Sequence, residues 1–208
     1  MKRFAGLLLV VLASTALAED RFPLLTPETM TPAQKKVADA ILSGPRGQIQ
    51  GPFNAWLRSP EIADRFQKVG EYIRFNTSLP HHLNEFAILI TAREWTSQYE
   101  WYVHHPLALK AGLNPNVAAV LATGKRPTGM KADEELVYDF SVALHRNKGQ
   151  VPDALFKKVR ETFGEQGVTD LIAVNGYYGA VSMTLNVAEV ALPAGTPLPL
   201  PILAAGNP

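Results

Sequence analysis

The chain has 208 residues, with 20 Lys and Arg against 19 Asp and Glu and a formal charge of +1. So even a balance carries no basic stripe of the kind that nucleic acid requires, and no nucleic-acid partner is expected. It contains no cysteine, which excludes disulfides, thiol peroxidase and disulfide-exchange chemistry, and cysteine-ligated metal.

Lys2 and Arg3, the apolar run over residues 4–12 and the triplet Ala16-Leu17-Ala18 form the pattern of a secretory signal peptide spanning residues 1–18. Cleavage after Ala18 leaves Glu19 as the mature N-terminus and a net charge of −1, from 18 basic and 19 acidic residues. The apolar run is shorter than the roughly 20 residues of a spanning helix. The expectation is therefore an exported chain, periplasmic or secreted, with no membrane contact once the signal is removed. The remaining residues suit one domain with a sizeable core. An exported protein without disulfides must be held by that core or by an oligomer.

Residues 19–30, with Pro23 and Pro27, read as an extended lead-in. Thr31-Pro32 is a cap followed by proline in the first turn and opens a helix to about Leu42. Ser43-Gly44-Pro45 closes it, and Gly44, Gly47 and Gly51 make the next segment a loop. Ser59-Pro60-Glu61 repeats the start signal and opens a helix toward Phe75, in which Ile62, Phe66, Val69 and Ile73 have the spacing of a buried stripe. Pro80 precedes a helix over 82–94; after a break near Thr96 another runs over 97–111, with Gly112 behind it. Asn114-Pro115 starts a short helix ended by Gly124, and residues 132–147 and 152–163 give two more. The last, from 167 to about 190, is the most apolar and is expected at the centre.

No useful run alternates with the period of a strand, so the expected fold is all-α, a single-domain helical bundle over 31–192. Residues 193–208 carry five prolines and form a Pro-rich arm that can be neither helix nor central strand. It is either a disordered end or an extended arm laid on a neighbouring subunit through Leu198, Leu200, Ile202 and Leu203.

The segment from Ser97 to Pro106 concentrates the titratable chemistry. Glu100 and His104 are four apart and share one helix face, where a carboxylate and an imidazole can direct a proton near neutral pH. Ser97 and Glu100 also have the spacing of a capping box, which would account for the glutamate without any catalytic role. A histidine such as His104 can equally be a satisfied core or surface residue. Glu85 adjoins the apolar run 86–90 and is expected to be partly buried, either as an ion-pair partner of Arg93 or as a catalytic acid. Metal binding by Glu85, Glu100 and His104 is geometrically possible but lacks a recognised ligand spacing. His105 points about 100° away from His104. His81 and His82 read as surface residues, and His145 as a complement to its helix dipole. Gly176-Tyr177-Tyr178-Gly179 could line a pocket, though core packing is the plainer reading. No nucleophile elbow, P-loop or dinucleotide-binding glycine pattern occurs.

Glu85, the run Ile88-Leu89-Ile90-Thr91-Ala92-Arg93, then Trp95 to Trp101, His104 and the closing Ala108-Leu109-Lys110-Ala111-Gly112 resemble the carboxymuconolactone decarboxylase family. This group also includes alkylhydroperoxidase D-like proteins. The likeness extends from Gly51-Pro52-Phe53-Asn54 to Pro193-Ala194-Gly195. The peroxidase branch carries E-x11-C-x2-C-x3-H; Glu85 and His104 fall on its glutamate and histidine, and Ser97 and Glu100 on its two cysteines. The resemblance thus implies the cysteine-less decarboxylase branch: an alkylhydroperoxidase D-like bundle, a homo-oligomer (trimer or hexamer), without a cofactor, acting on a small-molecule substrate.

In 4-carboxymuconolactone the departing carboxylate is conjugated to a lactone carbonyl that can accept the electrons. The resemblance implies His104 as general acid/base, Glu100 as its orienting partner and Glu85 as a second acid. Arg93 would hold a substrate carboxylate, with Trp101 and Tyr99 also in the substrate site. The aromatic-acid pathways of that family are cytoplasmic, so an exported member points to a different lactone or aromatic-derived acid. An isomerase or metal-assisted hydrolase on the same scaffold, and a non-catalytic exported binding protein, are the alternatives.

Overall fold

The computed structural model describes residues 21–203. The expected signal peptide, its cleavage point after Ala18 and the last five residues of the Pro-rich arm lie outside them. Among the described residues there are helices and no strands: α1 (Pro32–Ser43), α2 (Phe53–Trp56), α3 (Pro60–Phe75), α4 (His81–Glu94), α5 (Gln98–Lys110), α6 (Pro115–Ala122), α7 (Ala132–Arg146) and α8 (Asp153–Ala188). None is long and apolar enough to cross a membrane.

The helix starts follow from local chemistry. At α1, Thr31 Oγ1 accepts from the Gln34 amide at 3.3 Å and Gln34 Oε1 accepts from the Thr31 amide at 2.8 Å, a complete capping box ahead of Pro32. At α6, Asn114 Oδ1 accepts from the Asn116 amide at 2.9 Å, with Pro115 in the first turn. The lead-in is extended and tied down by Asn54, which donates to the Phe22 carbonyl and accepts from the Leu25 amide.

The centre of the bundle is α4, not the last helix. Every residue from Leu83 to Arg93 is buried, and α4 packs against α5, α7 and α8. A helix apolar on all sides is the one a bundle surrounds. The two helices expected over 152–163 and 167–190 are arms of α8, broken at Gly164, whose φ of 71° and ψ of 176° lie where glycine is nearly the only residue tolerated. The second arm buries Leu171, Val174, Tyr178, Val181 and Leu185 but leaves Ile172, Met183 and Val187 outside.

Helix α3 has the expected bounds, and of the expected stripe Ile73 is buried and Phe66 packs on the core, but Ile62 and Val69 do not. Ala63, Gln67, Gly70 and Ile73 point inward, while Ile62 and Val69 are 44% and 49% exposed. Small residues let α3 approach its neighbours closely, and that gain outweighs the apolar pattern. The short α2 directly follows the segment read as loop; Trp56 anchors it by donating Nε1 to Thr184 Oγ1 at 2.9 Å and stacking edge-on against Phe53 and Phe66. The turn joining α3 to α4 is fastened to α8 by Asp170, which accepts from Tyr72 Oη at 3.1 Å and from Ser78 N and Oγ, each at 2.7 Å.

Helices α4 and α5 form a hairpin. Thr96, at φ 48°, reverses the chain, and the Asn186 side chain of α8 secures the turn by donating to the Trp95 carbonyl at 2.9 Å.

Over its described part the Pro-rich arm is neither loose nor directed away from its own chain. Gln98 pairs with the Leu200 backbone in both directions, at 2.8 and 2.9 Å, and Arg93 donates to the Pro201 carbonyl at 2.9 Å. Leu200 is buried, while Leu198 and Ile202 face outward.

Candidate functional site

The hairpin brings Glu85, near the start of α4, level with His104 in the middle of α5. His104 Nδ1 lies 2.7 Å from Glu85 Oε2, and Nε2 lies 3.0 Å from Glu100 Oε1, one turn back along α5. All three residues are at most 4% exposed. Burial alone would lower the histidine pKa, but the charges and hydrogen bonds of Glu100 and Glu85 outweigh it, and the pKa rises from 6.5 to about 9. Both ring nitrogens lie near carboxylate oxygens, so a protonated ring can donate Nδ1–H to Glu85 while its charge is balanced by Glu100.

The capping-box reading of Glu100 does not hold. Ser97 stands at the N-cap of α5, yet its side chain makes no cap bond and its Oγ is buried without a partner. Glu100 has turned along the helix to His104.

Glu100 and His104 of this row line an open cavity of about 80 Å³, together with Arg46, Arg74, Tyr99, Tyr177 and Tyr178. The Tyr178 ring meets the His104 ring edge-on, with centroids 5.1 Å apart. Burial pushes the Tyr177 phenol up to about 12 and the Tyr178 phenol well above its ordinary value, so both remain hydrogen-bond donors at neutral pH. The two tyrosines belong to the buried core, as the plainer reading expected, and line the cavity as well.

Arg46 and Arg74 escaped the sequence reading altogether. One sits in a glycine-rich loop and the other in the last turn of α3, and nothing along the chain links either to His104.

Other expected residues lie elsewhere. Arg93 neither pairs with Glu85 nor reaches the cavity; it donates to the Ala122 and Pro201 carbonyls and, at 2.7 Å, to Thr96 Oγ1, so it fastens the turn and the tail. Trp101 is buried away from the cavity and stacks on His105, with ring centroids 5.7 Å apart, as the 100° offset of His105 from His104 requires. Tyr99 does line the cavity; Glu85 stands behind His104, touching it without joining the lining. His145 is not a charged complement to its helix dipole: burial lowers its pKa, and its Nε2 lies 3.1 Å from both Thr91 Oγ1 and Asn175 Oδ1.

No protein-family model matches the chain, and no curated protein matches its sequence. The site is therefore read from its own chemistry.

Both nitrogens of His104 are engaged by carboxylates, leaving no lone pair directed at a cation. Among the described residues no group of three His, Asp or Glu side chains is disposed to hold a metal ion. A buried imidazolium backed by two carboxylates can deliver a proton to a bound molecule and recover it through its partners. The phenols and guanidinium groups can stabilise negative charge on that molecule.

Proposed function

We propose that the protein is a cofactor-free lyase, a decarboxylase acting on a small carboxylated lactone or related aromatic-derived acid. In this reading it is an exported relative of the carboxymuconolactone decarboxylase family with an alkylhydroperoxidase D-like bundle, working as a homo-oligomer (trimer or hexamer). The observation that carries the reading is His104 clamped between Glu85 and Glu100 on a cavity wall. The all-helical bundle and the match of Glu85 and His104 to the family pattern support it. Glu100 is turned to His104 and is not a helix cap, which favours an enzyme over a binding protein.

The reaction asks for little beyond these side chains. As the bond to the departing carboxylate breaks, its electron pair flows into the conjugated carbonyl and carbon dioxide leaves. The resulting enolate oxygen is stabilised by donors such as the Tyr178 phenol. The His104–Glu100 pair then delivers one proton to the carbon that lost the carboxylate, and solvent restores it.

The test is carbon dioxide release across a panel of carboxylated lactones and aromatic-derived acids, with wild-type protein and with His104→Gln and Glu100→Gln. The expected result is turnover of at least one acid that falls by about a hundredfold or more in both variants. Full turnover in correctly folded His104→Gln would overturn the assignment, and the native mass of the assembly checks the subunit count.

A further inference from the structure

Two cations line the cavity beside one carboxylate, Glu100, which is already turned to His104. Arg46 stands against the Tyr177 phenol, close enough to oppose the burial that raises that group, yet its Nε and Nη2 are buried without a hydrogen-bond partner. Its guanidinium lies over the Phe53 ring, 5.1 Å from the centroid. Arg74 lines the same cavity, and its charge is felt at both tyrosines. Among the described residues neither arginine forms an ion pair with any carboxylate. Guanidinium nitrogens buried without an acceptor are costly, so the native partner of Arg46 should be a group that enters the cavity.

The backbone is shaped around this arrangement. Gly70 lies one turn before Arg74 on α3, and a side chain there would run into the Tyr177 hydroxyl and Arg46 Nη2. Glycine at 70 therefore makes the room in which loop, α3 and α8 bring a guanidinium and a phenol together.

We propose that Arg46 and Arg74 form the seat for the carboxylate of a small, flat organic acid whose body extends past Tyr177 and Tyr178 to His104. Guanidinium groups present planar forks of donors that match a carboxylate. The aromatic and valine walls, from Phe53, the two tyrosines, Val103 and Val181, suit an unsaturated body. A carboxylate held this way is stabilised in the ground state, so it is the one retained; the bond that breaks lies at the His104 end. The seat deepens the decarboxylase reading of the same cavity. Its test measures binding without turnover, so either can fail alone.

The probes are benzoate, its neutral isostere benzamide, and inorganic phosphate, titrated by calorimetry into wild type, Arg46→Met, Arg74→Met, the double variant, and Arg65→Met as an exposed charge control. Circular dichroism establishes that each variant is folded. Wild type should bind benzoate and not benzamide, a comparison that needs no variant. Each cavity variant should weaken benzoate about tenfold or more, the loss expected for a charge-assisted hydrogen bond, while Arg65→Met leaves it unchanged. Equal binding of benzamide, unchanged benzoate affinity in the folded double variant, or no benzoate binding by wild type at millimolar concentration would each overturn the seat. Phosphate binding more tightly than benzoate would overturn its assignment to a carboxylate.

Discussion

His104 Nδ1 lies 2.7 Å from Glu85 Oε2 with both side chains buried, so α4 and α5 are joined at the cavity wall by a charged hydrogen bond shielded from water. With Glu100 on the other ring nitrogen, the histidine carries two partners that favour its protonated form.

Stability should therefore depend on pH in a defined window. The folded pKa of about 9 lies above the unfolded value of 6.5, so the native state holds this proton more tightly than the unfolded chain does. The resulting stabilisation is complete below about pH 6.5 and is lost as pH rises through 9, on the order of 3 kcal/mol in all. Urea unfolding between pH 6 and pH 9.5 should show this decline, and folded His104→Gln should lack it (buffer points chosen to bracket the two values of the shift). An equally steep decline in that variant would assign the proton to another group.

Removing one carboxylate should change the ring directly. In Glu100→Gln the largest of the forces that raise the His104 pKa is gone while burial stays, so the value should fall below about 9. Nitrogen NMR of the imidazole measures it. The same substitution should move the alkaline limb of the pH–rate profile to lower pH, because the reaction uses the protonated ring. An unmoved limb would remove His104 from the role of acid.

Asp170 should be a stability residue with no part in chemistry. It accepts three hydrogen bonds from Tyr72 and Ser78 at the junction of α3, α4 and α8. Asp170→Ala should cost about 2 kcal/mol, since three donors lose a charged acceptor, while benzoate affinity per folded molecule stays the same. A thermal melt and a binding titration on one sample separate the two effects.

The tail should be detachable at one side chain. Gln98→Ala removes both bonds to Leu200. Amide exchange at Leu200 should then rise by about tenfold or more, with α4 unaffected. Unchanged protection at Leu200 would mean that the Arg93 contacts suffice.

How far the sequence revealed the molecule can be judged residue by residue. Helix starts at Thr31-Pro32 and Asn114-Pro115 were legible because a cap and a proline act on neighbours within one turn. The pairing of Glu100 with His104 was legible for the same reason, since four residues along a helix is a local distance. Glu85 was legible as a buried carboxylate because it adjoins the apolar run 86–90, while its partner was not, since His104 lies on the next helix. Arg46 and Arg74 were invisible because the cavity forms from a loop, α3 and α8, and no periodicity encodes that meeting. The face of α3 was half legible: Phe66 and Ile73 turn to the core as expected, but Ala63 and Gly70 are buried for their smallness, a property that hydrophobic spacing ignores. Arg93 was misread because carboxylate and guanidinium two turns apart suggest a pair, whereas the real acceptors are backbone carbonyls, one of them 108 residues away.

The hairpin between α4 and α5 gives the site an unusual kind of dependence. Glu85 meets His104 only because the intervening chain has one particular length, reversed at Thr96. One residue added or removed in that turn would rotate His104 by about 100° around α5 and carry Glu100 with it. Both acids and the imidazole would survive in the sequence, yet they would no longer form a row. What must be preserved here is an interval of nineteen residues as much as the side chains at its ends. A deletion at residues 95–97 that touches no cavity residue should therefore silence the site as fully as replacing His104.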